Sequence, residues 1–234
     1  MTLAELLSKL TRDHPDVNKF TTAQQTAELN EGQLEIAFVT ECLPTEANFN
    51  ITASTETYVL STIDSNFLKI DRDGGLHIKT ISSNTKFDRM NYRPMEELDL
   101  LYRGWRNDSA GTPHSYFQRG ANIHIYPKMS TAVTSGGRLY LFEKPDVMVA
   151  TTSKPFNELS QYEPFHKLVV LYAAEAFLTS TKRYQEAAAV HSLYVDRLAL
   201  MMDFVKNGVL EDYSPDVEMG LAAYRSTNRR VGRF

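Results

Sequence analysis

The chain has 234 residues, of which 42% are hydrophobic and 23% are charged, a composition typical of one large or two small globular domains. Its formal net charge is −4 and its pI is about 5.9, which argues against a protein that grips nucleic acid through a broad basic face. The sequence contains no run of about eighteen apolar residues, so no membrane-spanning helix is predicted.

The first residues and the cysteine content indicate where the protein is made. The N-terminal stretch "MTLAELLSKLTRDHPDV" has mixed charges and helically spaced apolar residues rather than the apolar core of a signal peptide, so synthesis in a cytoplasm is predicted. A single cysteine, Cys42, excludes an intrachain disulfide and a multi-cysteine zinc site. We expect Cys42 to be a small buried hydrophobic residue.

Two helices are predicted at the start of the chain. The first has leucines at helical spacing, a capping box of Thr2 and Glu5, and an end near Asp13. The second begins near Thr21 or Thr22, ends before Pro44, and contains Gly32, which is expected to weaken or kink it. Its predicted buried stripe is Leu29, Ile36, Val39 and Leu43.

Short strands are predicted from about Phe49 to residue 150, because Thr, Ile, Val and Tyr become frequent. "FLKIDRDGGLHIKT" predicts a hairpin in which Gly74 and Gly75 supply positive φ. A short helix is predicted after Pro94. "SYFQRG" and "ANIHIYPK" predict two strands split by Gly120, and "RLYLFEKP" predicts another, entered through "TSGG". In this last strand both faces are apolar, which predicts burial on both sides.

After Pro164 the sequence predicts two helices that form a hairpin, separated by the polar stretch "TSTKRY" and ending before Gly208; one long kinked helix is the alternative. The expected buried face of the first is Phe165, Leu168, Val169, Tyr172 and Ala176. The expected buried face of the second is Tyr184, Ala187, His191, Tyr194, Leu198, Met201 and Val205.

Signatures of common enzyme families are absent from the sequence, and its six histidines lie at no metal-binding spacing. The densest group of polar residues is "YRGWRNDSAGTPHSYFQRGANIHIYPK", Tyr102–Lys128, which holds the single tryptophan. A loop active site built from Asp108, His114 and Arg119 is one interpretation. A turn-rich connection between strands of a scaffold is the other.

Charges separate near the end of the chain. "EDYSPDVEMG" carries four acidic residues, whereas "AYRSTNRRVGRF" carries four arginines and no acid. This pattern is typical of a solvated end or of an arm that docks on an acidic partner surface.

The order of residues between Leu100 and Lys206 resembles that of head-to-tail adaptor (connector) proteins of tailed bacteriophages. A tryptophan is followed by "GTPHSY", a glycine, a strand ending in "IHIYP", a second strand "LYLFEKP", and the helix "LVVLYAAEAF". The positions that carry the resemblance are Trp105, Gly111, Pro113, Tyr116, Gly120 and Pro127.

The resemblance implies an α+β fold. Residues 1–46 and 156–208 would form a helical bundle, residues 47–155 an inserted antiparallel β-domain, and residues 209–234 an extended tail. It also implies a virion protein at the head–tail junction, forming a ring of twelve copies below the portal. Such a ring extends the channel for double-stranded DNA, which passes without sequence-specific binding, and takes part in genome ejection.

The implied partners are the portal protein, other copies of the chain, and the next tail component, such as a nozzle, tail-tube or fibre-anchoring protein. No cofactor, metal, catalytic residue or membrane is implied. The net negative charge suits a channel through which DNA slides without sticking. The implied portal-docking residues are Arg225, Arg229, Arg230, Arg233 and Phe234.

Two alternatives stay open at this point. One is a tail-completion or other minor virion protein that does not contact the portal. The other is an enzyme with a loop site near His114.

Overall fold

The computed structural model describes residues 1–81, 83 and 85–207 and has an α+β fold with largely antiparallel sheets, as predicted. The α-helices are α1 (Leu3–Asp13), α2 (Thr22–Thr40), α3 (Leu60–Ile63), α4 (Met95–Leu101), α5 (His166–Ser180) and α6 (Tyr184–Asn207). The strands are β1 (Pro44–Ile51), β2 (Thr57–Val59), β3 (Phe67–Ile70), β4 (Leu76–Ile78), β5 (Asp88–Arg89), β6 (Asn91–Tyr92), β7 (Ser115–Arg119), β8 (Asn122–Tyr126) and β9 (Val133–Glu143).

The contacts within the chain define two compact units. The helical unit comprises Met1–Cys42 together with the chain from Pro145 onward, and the β-rich unit comprises Leu43–Lys144. Within the β-rich unit the two ends meet, because the amide of Glu143 donates to the carbonyl of Leu43 at 3.0 Å.

The helical unit is organised around α5, which packs against α1, α2 and α6. Four consecutive residues of α5, Leu168–Leu171, are buried, as expected for a helix with neighbours on several sides. The capping box of Thr2 and Glu5 is present and α1 ends at Asp13, so the first predicted helix is confirmed. The pair α5 and α6 is also confirmed.

Gly32 lies within α2, which is continuous from Thr22 to Thr40. It is buried against Tyr172 of α5, where an added Cβ would lie 2.8 Å from the Cδ1 atom of the tyrosine ring. The glycine therefore allows α2 and α5 to approach closely. This packing offsets the lower helix propensity of glycine.

Three residues of the predicted buried faces are exposed. These are Val39 in α2 and Tyr184 and His191 in α6. The buried positions of α6 are Ala187, Val190, Tyr194 and Met201. Because the residues at the margin of a helical face share its spacing, a periodic pattern alone did not distinguish margin from centre.

Cys42 is buried, as predicted, and burial raises the pKa of its thiol to about 11. The thiol is therefore protonated at neutral pH and unreactive as a nucleophile.

His166 is a buried histidine of the helical unit. Its side chain is fully buried, its Nδ1 atom lies 2.7 Å from the α-amino nitrogen of Met1, and its Nε2 atom has no hydrogen-bond partner in the described part of the chain. Burial, reinforced by the positive amine, lowers the pKa of His166 to about 4. The imidazole is therefore neutral in the folded protein at neutral pH.

We expect the stability of the protein to fall as the pH drops from about 6.5 to about 4. The unfolded chain binds a proton at His166 in this range while the folded chain does not, so folding becomes less favourable by about 1 kcal/mol per pH unit. Urea unfolding at several pH values, compared between the wild type and His166→Leu, isolates this contribution from that of the carboxylates. Parallel curves for the two proteins would contradict the prediction.

The β-rich unit contains two sheets, and β9 is the central strand of the first. It pairs antiparallel with β1 on one edge and with both β3 and β4 on the other, and β5 pairs with β4. The second sheet has the order β2-β8-β7-β6, with β6 parallel to β7. The hairpin of β7 and β8 around Gly120, at φ +58°, is as predicted.

The predicted hairpin at "DRDGG" is wrong. Its two strands, β3 and β4, do not pair with each other but lie one after the other along β9. Gly75 has positive φ, at +64°, whereas Gly74 does not. An added Cβ on Gly74 would lie 2.4 Å from Cβ of Tyr140, so this glycine is required for close approach.

Two strand boundaries also differ from the prediction. β1 begins at Pro44 rather than near Phe49, and a proline is tolerated as the first residue of a strand because its missing N–H is not needed there. β9 begins at Val133 and includes the "TSGG" stretch. Gly137 within it lies opposite Phe49 of β1.

Both faces of β9 carry covered side chains, as predicted. Leu139 and Leu141 are fully buried on one face, while on the other Phe142 is buried and Tyr140 is half-buried. None of the described helices is both long and apolar enough to cross a membrane.

Candidate functional site

The stretch Tyr102–Lys128 folds around a group of aromatic side chains in the β-rich unit. We call this group the aromatic cluster; its buried members are Leu98, Trp105, Phe117 and Tyr126, with Met95 and Tyr102 packed against them. Trp105 makes edge-on contacts with Phe117 and Tyr126, each at 5.6 Å between ring centroids. Such contacts stabilise a core beyond the area that they bury.

Asp99 ties the aromatic cluster to α4. Its carboxylate accepts hydrogen bonds from Nε1 of Trp105 and from Arg106, both at 2.8 Å, and the Arg106 guanidinium lies 4.5 Å from the Trp105 ring. The hydrogen bond from Arg106, aided by the one from Trp105, lowers the pKa of Asp99. The indole N–H, which would otherwise be buried without a partner, is therefore satisfied.

Tyr126 is held as a neutral hydrogen-bond donor. Its hydroxyl donates to Asp108 at 2.5 Å, and burial together with this carboxylate raises the pKa of Tyr126 to about 12. The crevice beside Trp105, Asp108 and Tyr126 has no room for a water molecule. This part of the stretch is thus a packed core rather than an open site.

The three residues of the loop-site hypothesis are not brought together as a catalytic group. His114 is hydrogen-bonded to Ser115 at 2.8 Å, and partial desolvation of its ring lowers its pKa. Asp108 binds Tyr126, and Arg119 approaches the sulfur of Met95 at 4.0 Å. Within the described residues, no hydrogen bond or ion pair joins any two of the three.

Gly111, Pro113 and Pro127 of the predicted motif are held by backbone hydrogen bonds or by packing. The amide of Gly111 donates to the carbonyl of Lys128 at 2.7 Å, and an added Cβ would meet Pro127 at an ordinary distance of 3.6 Å. Pro113 is buried, and Pro127 follows β8 after a cis peptide bond. The loop before β7 is therefore attached at Gly111 to the residues that directly follow β8.

Tyr116 joins the two sheets of the β-rich unit. It is buried on β7, and its hydroxyl lies 2.7 Å from the position that a Cβ on Gly75 would occupy. Burial raises the pKa of this hydroxyl. A larger residue at position 75 would be strained by the positive φ and would collide with the Tyr116 hydroxyl, so a glycine is required there.

Neither unit covers all of its large apolar side chains. Those of the helical unit are Leu34, Phe38, Val39, Val147, Val149, Leu159, Tyr184, Leu193 and Val195, and those of the β-rich unit are Val59, Ile81, Tyr92, Leu100 and Leu101. Leu100 and Val149 are the most exposed of them, at 83% and 81%. Exposed apolar residues that lie side by side are typical of surfaces that bind other proteins, whereas single ones are common on any folded protein.

Leu100 and Leu101 are presented by a short helix that the aromatic cluster holds in place. Asp99, directly before them, makes the hydrogen bonds to Trp105 and Arg106, and Leu98 is buried in the cluster. Two exposed leucines on a rigid support are a candidate contact surface. Composition pointed to reactive groups in this stretch, whereas its geometry favours a binding surface.

Sequence reasoning missed a second candidate surface, the segment that follows Lys144. There Val147 and Val149 are exposed on either side of buried Met148. A cleft of about 380 Å³ opens beside them. In the sequence "DVMVA" the residues Val147, Met148 and Val149 are all apolar, so the alternation of exposed and buried side chains could not be predicted from it.

The described part of the chain contains no cluster of His, Cys, Asp or Glu side chains that could hold a metal ion. The predicted docking residues Arg225, Arg229, Arg230, Arg233 and Phe234 lie outside the described residues.

A comparison with protein families decides the class of protein. The family model described as SU10 adaptor protein matches residues 1–216, which include the β-rich unit and the described part of the helical unit. The chain belongs to the SU10 adaptor protein family. Among curated proteins, none matches the adaptor significantly. The adaptor is thus a bacteriophage structural protein and a component of the virion, and its family implies binding to other head or tail proteins.

Proposed function

We propose that this adaptor joins the capsid to the tail as a ring of twelve copies below the portal and extends the DNA channel. The family match along residues 1–216 carries the proposal. The helices of the helical unit would form the bundle of the adaptor, with the β-rich unit as an insertion between α2 and α5.

Exposed apolar side chains support assembly. A ring requires two different surfaces on each copy, one for each neighbour, and both units of the adaptor carry uncovered apolar residues. We infer that part of this surface is buried between copies and part against the next tail component. The packed crevice at Trp105, and the binding of Asp108 to Tyr126 and of His114 to Ser115 rather than to each other, support a structural role without turnover.

We propose that the arginines of residues 225–233 bind carboxylates of the portal, with Phe234 as an apolar anchor. The net charge of −4 per copy suits a channel that does not retain DNA.

Removing residues 222–234 is expected to abolish binding to the portal while the far-UV circular dichroism spectrum remains that of a folded protein and unfolding remains cooperative. Mass measurement of the adaptor with and without purified portal rings tests this, and also gives the number of copies bound. A matched pair of full-length variants separates charge from shape: changing the four arginines to lysine should retain binding partly, and changing them to glutamate should eliminate it. Normal docking of the shortened chain would contradict the assignment.

A further inference from the structure

We propose that the segment Asp146–Ala150, which we call the edge segment, binds residues 225–234 of its own chain as an added β-strand. The adaptor would hold its basic segment in this way before a portal is present, and the portal would compete for it. The identity of the competitor rests on the proposed function; the binding of residues 225–234 to the edge segment does not.

The edge segment is held on α2 by two side-chain amides. The amide of Met148 donates to Oδ1 of Asn30 at 2.8 Å, and Nδ2 of Asn30 donates to the Met148 carbonyl at 3.2 Å. Gln33 donates to the Asp146 carbonyl at 2.8 Å and accepts from the amide of Phe156 at 3.3 Å. Asn30 thus pairs with Met148 as a residue of a neighbouring strand would.

Hydrogen bonding alternates along the edge segment. The amide of Asp146 donates to Asn157 at 2.7 Å, both backbone groups of Met148 are bonded to Asn30, and the Ala150 carbonyl accepts from Ser153 at 2.9 Å. The backbone groups of Val147 and Val149 make no hydrogen bond with any described residue. Because successive residues of an extended chain direct their backbone groups to opposite sides, these unpaired groups share one edge.

The side chains alternate as well. Val147 and Val149 are 68% and 81% exposed, whereas Met148 between them is 1% exposed. Unpaired backbone donors and acceptors beside exposed β-branched side chains form the kind of edge that accepts an extended peptide.

Three residues next to the edge segment have a strained backbone that their surroundings hold in place. Phe156, Asn157 and Glu158 all have positive φ, between 55° and 61°. Non-glycine residues in this conformation persist only where their surroundings fix them, and such residues are concentrated at functional sites. Here the fully buried ring of Phe156 and the hydrogen bonds of Gln33 and Asn157 fix them.

The charges beside the edge segment favour a basic occupant. The cleft of about 380 Å³ is lined by Asp146 and Glu158, and by one cation, Lys154. Lys154 is bound to Glu163 at 3.0 Å, and its pKa is raised by that carboxylate and, more weakly, by Glu158 and Glu5. Carboxylates therefore outnumber the lysine around the cleft.

Residues 225–234 have the composition that this surface requires. The stretch "RSTNRRVGRF" carries four arginines, no acid, and the apolar residues Val231 and Phe234. Between Asn207 and Arg225 lie residues 208–224, which span up to about 55 Å when extended. A unit of about 100 residues has a radius of gyration of about 13 Å, so the segment can reach the edge on its own unit.

Hydrogen exchange of individual amides tests the proposal directly. In the full-length adaptor without portal, the amides of Val147 and Val149 are expected to exchange about ten-fold more slowly than in a chain that ends at Leu221, because a strand hydrogen bond is gained. The slowing should not depend on protein concentration, since the occupant belongs to the same chain. Equal rates in the two chains would overturn the proposal, as would slowing that requires high concentration, which would indicate a second copy.

A matched pair of substitutions tests the role of the backbone. A labelled peptide of residues 222–234 is added to the chain that ends at Leu221, and binding is followed by fluorescence anisotropy. Val149→Pro removes the outward amide and is expected to weaken binding about ten-fold, whereas Val149→Thr keeps the amide and should change it less than about three-fold. Equal affinity of the two variants would overturn the strand-addition geometry, and an equal affinity for a peptide with glutamate in place of arginine would overturn the charge argument.

The two proposals fail separately. If the shortened chain loses portal binding but its Val147 and Val149 amides exchange as in the full-length protein, the further inference is wrong and the proposed function stands. If the amides lose protection and portal binding remains, the portal-docking assignment is wrong and the further inference stands.

Discussion

Replacing Trp105 with alanine is expected to lower the free energy of unfolding of the β-rich unit by about 3–5 kcal/mol. The side chain is 3% exposed, and its removal would leave a cavity between Phe117 and Tyr126 and would leave Asp99 without the indole donor. Urea unfolding followed by far-UV circular dichroism measures the loss, since the variant has no tryptophan fluorescence.

Trp105→Phe is the matched control for this cavity. It retains an aromatic ring but loses the hydrogen bond to Asp99, which is also bound by Arg106, so a smaller loss of about 1–2 kcal/mol is expected. A loss below about 1 kcal/mol for Trp105→Ala would show that the aromatic cluster does not hold the stretch together. The same cluster supports α4, which carries Leu100 and Leu101. Any binding of another protein to these two leucines should therefore weaken together with the fold.

Replacing Gly137 with alanine is expected to cost about 2 kcal/mol of stability. Gly137 lies on β9 opposite Phe49 of β1, and an added Cβ would be 2.4 Å from the phenyl ring, which covers the glycine. The ring must move for the methyl group to fit. An aromatic side chain laid over a glycine on the neighbouring strand is a known means of covering the exposed backbone.

A double-mutant cycle separates this contact from strand propensity. In a Phe49→Ala background the change of Gly137 to alanine should be neutral or slightly stabilising, because alanine loses less conformational entropy than glycine in a strand. Gly111→Ala is the control in the wild-type background, since its Cβ would contact Pro127 at 3.6 Å. Equal costs of Gly137→Ala with and without Phe49 would contradict the prediction.

Local signals predicted the elements that depend on local interactions. The capping box at Thr2 needs residues three positions apart, and the turn at Gly120 joins two strands that pair with each other. The stretch "DRDGG" carries the same kind of turn signal, yet its flanking strands pair with β9, roughly 60 to 75 residues further along. Nothing in a turn specifies whether its flanking strands prefer each other or a distant partner.

The candidate surfaces were less predictable than the fold. The composition of Tyr102–Lys128 drew attention to a stretch that is structurally constrained, but reactive side chains there proved to be bonded to the scaffold. The edge segment gave no recognisable signal in the sequence. Both backbone groups of Met148 at its centre bind the side-chain amide of Asn30, 118 positions away. Such a surface becomes visible only when the partner of each backbone group is known.

The hydrogen bond between Glu143 and Leu43 makes the β-rich unit a closed module, since the chain leaves it at the point where it enters. A module attached in this way can lengthen, shrink or be exchanged without altering the spacing between α2 and α5. A short linker from Cys42 to Pro145 would therefore yield a helical unit without the insertion. Conversely, the β-rich unit could be transplanted into a surface turn of an unrelated protein, carrying Leu100 and Leu101 with it.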